Sequence, residues 1–249
     1  MAIIAVVSVV SHRRPRLEER VIKNIPLVDW LSILVFPVLM FIGWAGIVNQ
    51  IFHRPKVPLV PLDDFNLLIV MTLFISYAFV GNGIHFTAKI IWRYLAPKYK
   101  RSMVYMVNER FHNKVGHYIV YVTVIAVLFL TGIAEINHPL LEPVSFFKLS
   151  LIILAGIVFG FAGAKAIFYT SKWFGGYNRP ISVITAMAAV IFYSLARILH
   201  LSAGYYPVFY FMMTISLGFI ASFILRQVFL FSRLSERNKL RFLARIFSG

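Results

Sequence analysis

Six long apolar stretches dominate the pattern of hydrophobic and polar positions along this chain. They cover residues 27–52, 65–90, 117–136, 147–170, 180–200 and 205–231. A helix that crosses a bilayer needs about 20 mostly apolar residues, and each stretch reaches that length. The pattern therefore predicts an all-α fold, a polytopic membrane helix bundle of about six transmembrane helices.

Polar segments separate the apolar stretches and define the organisation of the chain. The segment 53–64 is rich in proline, which resists helix, and the segment 93–116 is predicted to be the longest and most basic loop. We expect a single membrane domain over 1–249. It divides into a cytoplasmic N-terminal segment (1–26), the six-helix bundle (27–232) and a basic tail (233–249).

The two ends of the chain carry their own patterns. The first ten residues, MAIIAVVSVV, lack the basic leading region of a secretory signal. They are predicted to lie at the membrane interface or against a partner. The tail alternates basic and apolar residues, which indicates either an amphipathic helix on the inner leaflet or a solvated charged segment.

Composition agrees with a membrane protein and removes several kinds of chemistry. Charged residues make up 14% of the chain and its mean hydropathy is +0.80, whereas soluble domains carry roughly 25% charged residues. There is no cysteine. Disulfides, thiolate catalysis and cysteine-held clusters are therefore excluded, and a metal would need histidine, carboxylate, methionine or carbonyl ligands.

Basic residues fall on alternate sides of the predicted helices. The N-terminal segment, the second and fourth loops and the tail are basic, whereas the first and third loops gather the acids Asp63, Asp64, Glu135 and Glu142. The positive-inside rule then predicts a multi-pass protein of the plasma (cell) membrane with both termini in the cytoplasm. With a net charge of +16, the chain is expected to bind anionic lipid at its basic cytoplasmic face, or an acidic partner subunit, and not nucleic acid.

Histidines on the predicted inner side are the first candidates for function. His85 lies near the inner end of the second helix and His117 opens the third, so the two are expected at similar depth on neighbouring antiparallel helices. Two imidazoles facing each other can supply both axial ligands of a haem iron. Gly81 and Gly83 would leave room for a macrocycle, and Lys89 would meet a propionate. The alternative is that the histidines snorkel to the interface and that the glycines serve helix packing.

Further histidines form a second choice of ligands. His112 lies on the inner side, while His200 ends the fifth helix on the outer side, with Arg197 expected one turn away on the same face. Arg197 would clamp a propionate or else snorkel to headgroups. The outer loops also hold His53, His138 and the acids named above, which form either a hard-ligand metal site or a solvated acidic surface.

The fourth helix carries a different signal. Gly156 and Gly160 form a small-xxx-small pair within AGIVFGFAGAKA (155–166). Small residues at this spacing let two membrane helices approach closely. We therefore expect this face to pack against a neighbouring helix.

One segment resembles a known family. NERFHNKVGHYIVYVTVIAVLFLTGI (108–133) resembles the first haem-ligand helix of the b-type cytochrome subunits of respiratory hydrogenases and formate dehydrogenases. The residues that carry the resemblance are Arg110, Phe111, Lys114, His117, Tyr118, Thr131 and Gly132. The segment 83–92, GIHFTAKIIW, is similar to the second ligand helix of those subunits, although in this chain it precedes the first.

The resemblance implies a membrane-embedded b-type cytochrome or anchor subunit of a respiratory redox complex. It would bind haem b, one or two per chain, with His85 and His117 as iron ligands, and would pass electrons between a partner subunit and the quinone pool. Quinone is a further candidate cofactor. Its partners would be other subunits of the complex and the lipid bilayer. The alternatives are a cofactor-free scaffold subunit, a small transporter or a metal-dependent membrane enzyme.

Overall fold

The computed structural model describes residues 1–11, 14–99, 102–167, 178–235 and 238–240. Within them, six helices are long and apolar enough to cross a membrane. They are Leu27–Phe52, Asp64–Arg93, Met103–Ile136, Phe146–Ile167, Pro180–Ile198 and Pro207–Ser232. The predicted all-α membrane-type bundle is confirmed. Much of the fourth loop and of the tail lies outside the described residues, so the predictions made for them also lie outside.

The N-terminal segment forms short elements ahead of the first span. Helix α1 (Ala2–Ser11) and helix α2 (Pro15–Glu19) precede a hairpin of β1 (Val21–Ile22) and β2 (Ile25–Pro26). Lys23 and Asn24 at the turn both have positive φ, as a tight two-residue hairpin turn requires. Helix α1 packs against the fourth and first spans. The segment predicted to meet a partner or the interface thus contacts the chain's own helices.

The first span is interrupted near its start. It consists of α3 (Leu27–Trp30), a π-helical segment (Leu31–Val35) and α4 (Phe36–Phe52). Pro37 stands in the first turn of α4 and has no N–H to give to the helical ladder, which accounts for the irregular turn before it. The indole of Trp44 donates to Thr131 Oγ1 at 2.8 Å and so joins the first span to the third.

The second and third spans are longer than a bilayer requires. Helix α5 covers Asp64–Tyr99, and the third span consists of α6 (Met103–Arg110), a π-helical segment (Phe111–Gly116) and α7 (His117–Ile136). The 36 residues of α5 extend about 54 Å at 1.5 Å per residue, against about 40–45 Å for a whole bilayer.

The predicted loop 93–116 is therefore wrong over most of its length, because both helices continue through it. Ser102 caps α6 by accepting from Tyr105 N at 3.2 Å, and Asn108 donates to Ala88 O at 2.8 Å, which holds α6 against α5. A helix can continue beyond its apolar run when a second helix covers one of its faces, because the opposite face can then carry basic side chains.

The last three spans are α8 (Phe146–Ile167), α9 (Asn178–Ile198) and α10 (Pro207–Ser232). A Cβ added at Gly156 would collide with Thr214 Oγ1, and one added at Gly160 would lie 2.6 Å from the backbone N of Phe219. Gly218 of α10 faces the backbone of Ile157 in the same way. The prediction that Gly156 and Gly160 pack a helix face closely is confirmed, and α10 is the neighbour.

A buried carboxylate organises the predicted outer end of the bundle. Glu135, in the last turn of α7, is completely buried. Its Oε1 accepts from Arg54 Nη1 at 2.5 Å and its Oε2 accepts from the backbone N of Phe209 at 2.6 Å. The first loop, the third span and the start of α10 therefore meet at one carboxylate.

Asn137 and His138 extend this outer network. The side chain of Asn137 accepts from the backbone N of Leu59 and of Val60 at 2.9 Å and donates to Val60 O at 2.8 Å. His138 Nε2 lies 3.3 Å from Asp64 Oδ1, and Lys56 pairs with Asp64 at 2.9 Å. In the described part of the chain, no group of three or more His, Asp or Glu is arranged to hold a metal ion. The outer acids Glu135 and Asp64 are bound by Arg54 and Lys56 instead.

Candidate functional site: a histidine cluster at the predicted inner end

The end of the bundle opposite Glu135, predicted to face the cytoplasm, brings His85 and His117 together. Helix α5 and the third span are antiparallel neighbours, and they approach closely where His85 faces Gly116. A Cβ added at Gly116 would lie 2.8 Å from His85 Cβ, so glycine is required there. The ring centroids of His85 and His117 are 4.3 Å apart. The two residues chosen from the sequence as a pair are therefore adjacent.

A third histidine joins them because of the local helix geometry. His112 lies in the π-helical segment Phe111–Gly116, five residues before His117. In an α-helix two such residues would point about 140° apart, whereas the i→i+5 bonding of a π-helix stacks them on one side. The ring of His112 is 4.6 Å from that of His85 and 5.9 Å from that of His117. The sequence alone makes His112 only a second choice of ligand, because residues five apart do not share a face of an α-helix.

A hydrogen bond orients the ring of His85, and aromatic stacking orients that of His117. His85 Nδ1 lies 3.3 Å from the carbonyl oxygen of His112. A carbonyl can only accept, so Nδ1 carries the proton and the Nε2 lone pair remains available. Histidines that bind metals commonly donate their other N–H to a backbone carbonyl in this way. His112 Nδ1 is buried without a hydrogen-bond partner among the described residues, and His117 stacks on Tyr121.

An ion-pair group lies beside the cluster. Asp29 is completely buried at the start of the first span. Lys89 Nζ approaches its Oδ1 at 2.7 Å and Arg93 Nη2 approaches its Oδ2 at 3.0 Å. Lys89, expected to meet a haem propionate, thus already has a carboxylate partner. The sequence analysis missed Asp29, although a lone acid in the first turn of an apolar span was a visible signal.

Helix lengths predict that the cluster lies at the boundary of the membrane. His85 lies 21 residues after Asp64, where α5 begins, which corresponds to about 32 Å along the axis. His117 lies 19 residues before Ile136, about 29 Å by the same rise. The hydrocarbon core is about 30 Å thick, so the three rings are expected where hydrocarbon gives way to headgroups.

The donor set suits a haem iron, for which imidazole is a common ligand, but the space between the rings is small. A metal–imidazole bond is about 2 Å long, so two axial nitrogens would stand about 4 Å apart with the macrocycle between them. Helices α5 and α7 touch at Gly116 and again at Gly81, where an added Cβ would lie 2.7 Å from Ile119. Haem held by His85 and His117 would require the two helices to separate.

The remaining predicted ligands lie away from this cluster. Arg197 and His200 are both exposed at the outer end, and the prediction that they share a helical face is wrong. Helix α9 ends at Ile198, and His200 adopts a left-handed φ of 50°. Leu201 N donates back to Ala196 O at 3.0 Å, which completes a Schellman cap. His200 therefore occupies the residue position that terminates α9.

Comparison with known proteins adds no assignment. No family model matches the chain. No curated protein matches it, and no solved structure matches it.

Proposed function

We propose that this chain is the membrane-embedded electron-transfer and anchor subunit of a redox complex, and that the cluster of His85, His112 and His117 is its cofactor site. The observation that carries the proposal is the meeting of three imidazoles at one end of two neighbouring spans, and helix length predicts that hydrocarbon ends at this depth. Haem b is the proposed cofactor, with His85 and His117 as its ligands once α5 and the third span have moved apart to admit it. When bound, it would supply one-electron chemistry, and quinone would be the exchange partner.

The chain's own residues have definite roles in this proposal. His85 offers Nε2 because its Nδ1 donates to the His112 carbonyl. Tyr121 holds the ring of His117 by stacking. The Asp29, Lys89 and Arg93 group fixes the start of the first span against α5.

A visible spectrum of the purified protein, reduced minus oxidised, tests the proposal. We expect a b-type spectrum that His85→Ala and His117→Ala each abolish or convert from low spin. His53→Ala is the matched control, because His53 is exposed at the predicted outer end and its ring bonds to the nearby Asn49 O. Haem retained by both cluster variants would refute this ligand pair.

A cofactor-free subunit is the second candidate, and the direct contact between the rings favours it. Touching imidazoles at a membrane boundary can pass protons between them, as His-containing relays do in pumps and transporters. A purified protein without haem or bound metal would replace the first proposal with this one. In liposomes loaded with a pH-sensitive dye, proton flux should then depend on His85 and His117 and not on His53.

A further inference from the structure

An apolar groove runs along the exposed surface where α5 and α6 pack together. Its volume is about 780 Å³, and no histidine of the cluster lines it. The residues that matter for the argument are Gly83, Thr87, Ile91, Met103, Val107 and Phe111. Met103, Val107 and Phe111 are exposed, as is Ile91 across the groove. A sizeable apolar surface is therefore open along this hairpin.

Gly83 marks the part of the groove that the chain leaves unfilled. A Cβ added there would meet no atom within 4 Å. Gly81, two residues earlier, differs because its added Cβ would press on Ile119. Packing within the chain therefore accounts for Gly81 and does not account for Gly83.

The groove crosses the inner boundary of the membrane. Gly83 lies 19 residues into α5, about 29 Å from its start and so near the end of the hydrocarbon core. At the other end, Trp92 Nε1 donates to Tyr105 Oη at 2.9 Å. Trp and Tyr are typical of the headgroup level. An occupant of this groove needs an apolar chain at one end and a polar group at the other.

The charged side chains near the groove indicate which polar group it would bind. Between Lys89 and His117 the sequence contains one acid, Glu109, and the cations Lys89, Arg93, Lys98, Lys100, Arg101, Arg110 and Lys114. Lys89 and Arg93 pair with Asp29, whereas Arg110 and Lys114 are exposed and make no ion pair within the described part of the chain. A second copy of this basic hairpin would be repelled, and an anionic group would be attracted.

We propose that the groove between α5 and α6 binds an anionic phospholipid of the inner leaflet. One acyl chain lies over Gly83, and the phosphate lies at the level of Tyr105 and Arg110. The site is separate from the histidine cluster and does not depend on the proposed electron transfer.

Lipid retention by the full-length protein tests this inference. Protein from nanodiscs with equal phosphatidylglycerol and phosphatidylcholine is transferred to detergent, and the lipid kept is measured by native mass spectrometry. We expect wild type to keep phosphatidylglycerol preferentially. Gly83→Leu fills the groove and should abolish this preference. Removing the charges with Arg110→Gln and Lys114→Gln together should lower it by about thirtyfold, on the scale expected for two interfacial cations.

The matched control is Gly46→Leu on α4, where an added Cβ also meets nothing within 4 Å. This variant should keep the lipid, as should wild type exposed to inorganic phosphate. If Gly83→Leu fails to fold, Val107→Trp at an exposed groove position replaces it. Equal retention of both lipids by wild type, an unchanged preference in the groove-filling variant, or displacement of the lipid by free phosphate would each overturn the inference.

Discussion

The buried groups Glu135 and Asn137 at the predicted outer end are paired more fully than the histidines at the predicted inner end. At the outer end, each oxygen of the buried Glu135 carboxylate has a donor, and the amide of Asn137 makes three hydrogen bonds to the first loop. At the inner end, three imidazoles lie against one another, and His112 Nδ1 has no hydrogen-bond partner among the described residues.

This difference distinguishes a structural network at one end of the bundle from a functional site at the other. A buried polar group that is fully paired holds elements together, whereas one left without a partner lowers stability. Natural proteins accept such costs mainly at functional sites. We therefore interpret the outer network as one that holds loops and helix ends together. We interpret the inner cluster as the site that binds a ligand, a cofactor or a proton.

The largest expected effect is at the outer end. Glu135→Ala leaves the Arg54 guanidinium, whose side chain is 14% exposed, without its carboxylate, and also removes the acceptor of Phe209 N. Breaking a buried pair in this way costs about 3–5 kcal/mol. Unfolding of the purified protein by denaturing detergent measures the loss.

Glu142→Ala is the control, because Glu142 is an exposed acid of the same outer loop. It should change the free energy of unfolding by less than about 0.5 kcal/mol. Similar losses for Glu135→Ala and Glu142→Ala would show that the buried contacts of Glu135 do not stabilise the outer end.

A smaller effect is expected where α5 and α7 touch beside the histidines. Gly116→Ala places a methyl group 2.8 Å from His85 Cβ and should cost about 1–3 kcal/mol, as overpacking does. It should also shift the imidazole proton resonances of the cluster, measured by NMR in detergent.

Gly83→Ala provides the contrast, since it adds the same methyl group where nothing is within 4 Å. Replacing a helical glycine by alanine there should stabilise the protein by about 0.5–1 kcal/mol. Opposite signs for the two substitutions would support the close approach at Gly116. A neutral result at Gly116 would mean that the two helices do not touch there.

The smallest effect is expected at His112. His112→Leu removes the unpartnered Nδ1 and keeps the backbone carbonyl that orients His85, so stability should stay the same or rise, as when an unpaired polar group becomes apolar. Asn137→Leu removes three hydrogen bonds worth about 1 kcal/mol each and should be clearly destabilising. If His112→Leu lowered the free energy of unfolding as much as Asn137→Leu, the inner cluster would also be a structural element that holds the helices together.

Some features followed from the sequence because they depend on composition and local spacing. Six apolar runs marked the six spans, since any segment that crosses hydrocarbon must be apolar along its whole length. Gly156 and Gly160 predicted a close helix contact, because four-residue spacing places small residues on one face of a helix. The depth of His85 and His117 followed from counting residues along neighbouring spans.

Other features depended on contacts that spacing does not encode. Helix α6 continues past the apolar run because α5 covers one of its faces, and α9 stops before His200 because the chain turns there. The π-helical segment turns His112 toward His85 and His117, and the packing of the first span gives Lys89 the partner Asp29. Apolar length and local periodicity thus determined the spans, while the assembly of the histidines and the burial of Glu135 and Asp29 were decided by tertiary structure, because each depends on residues far apart in the chain.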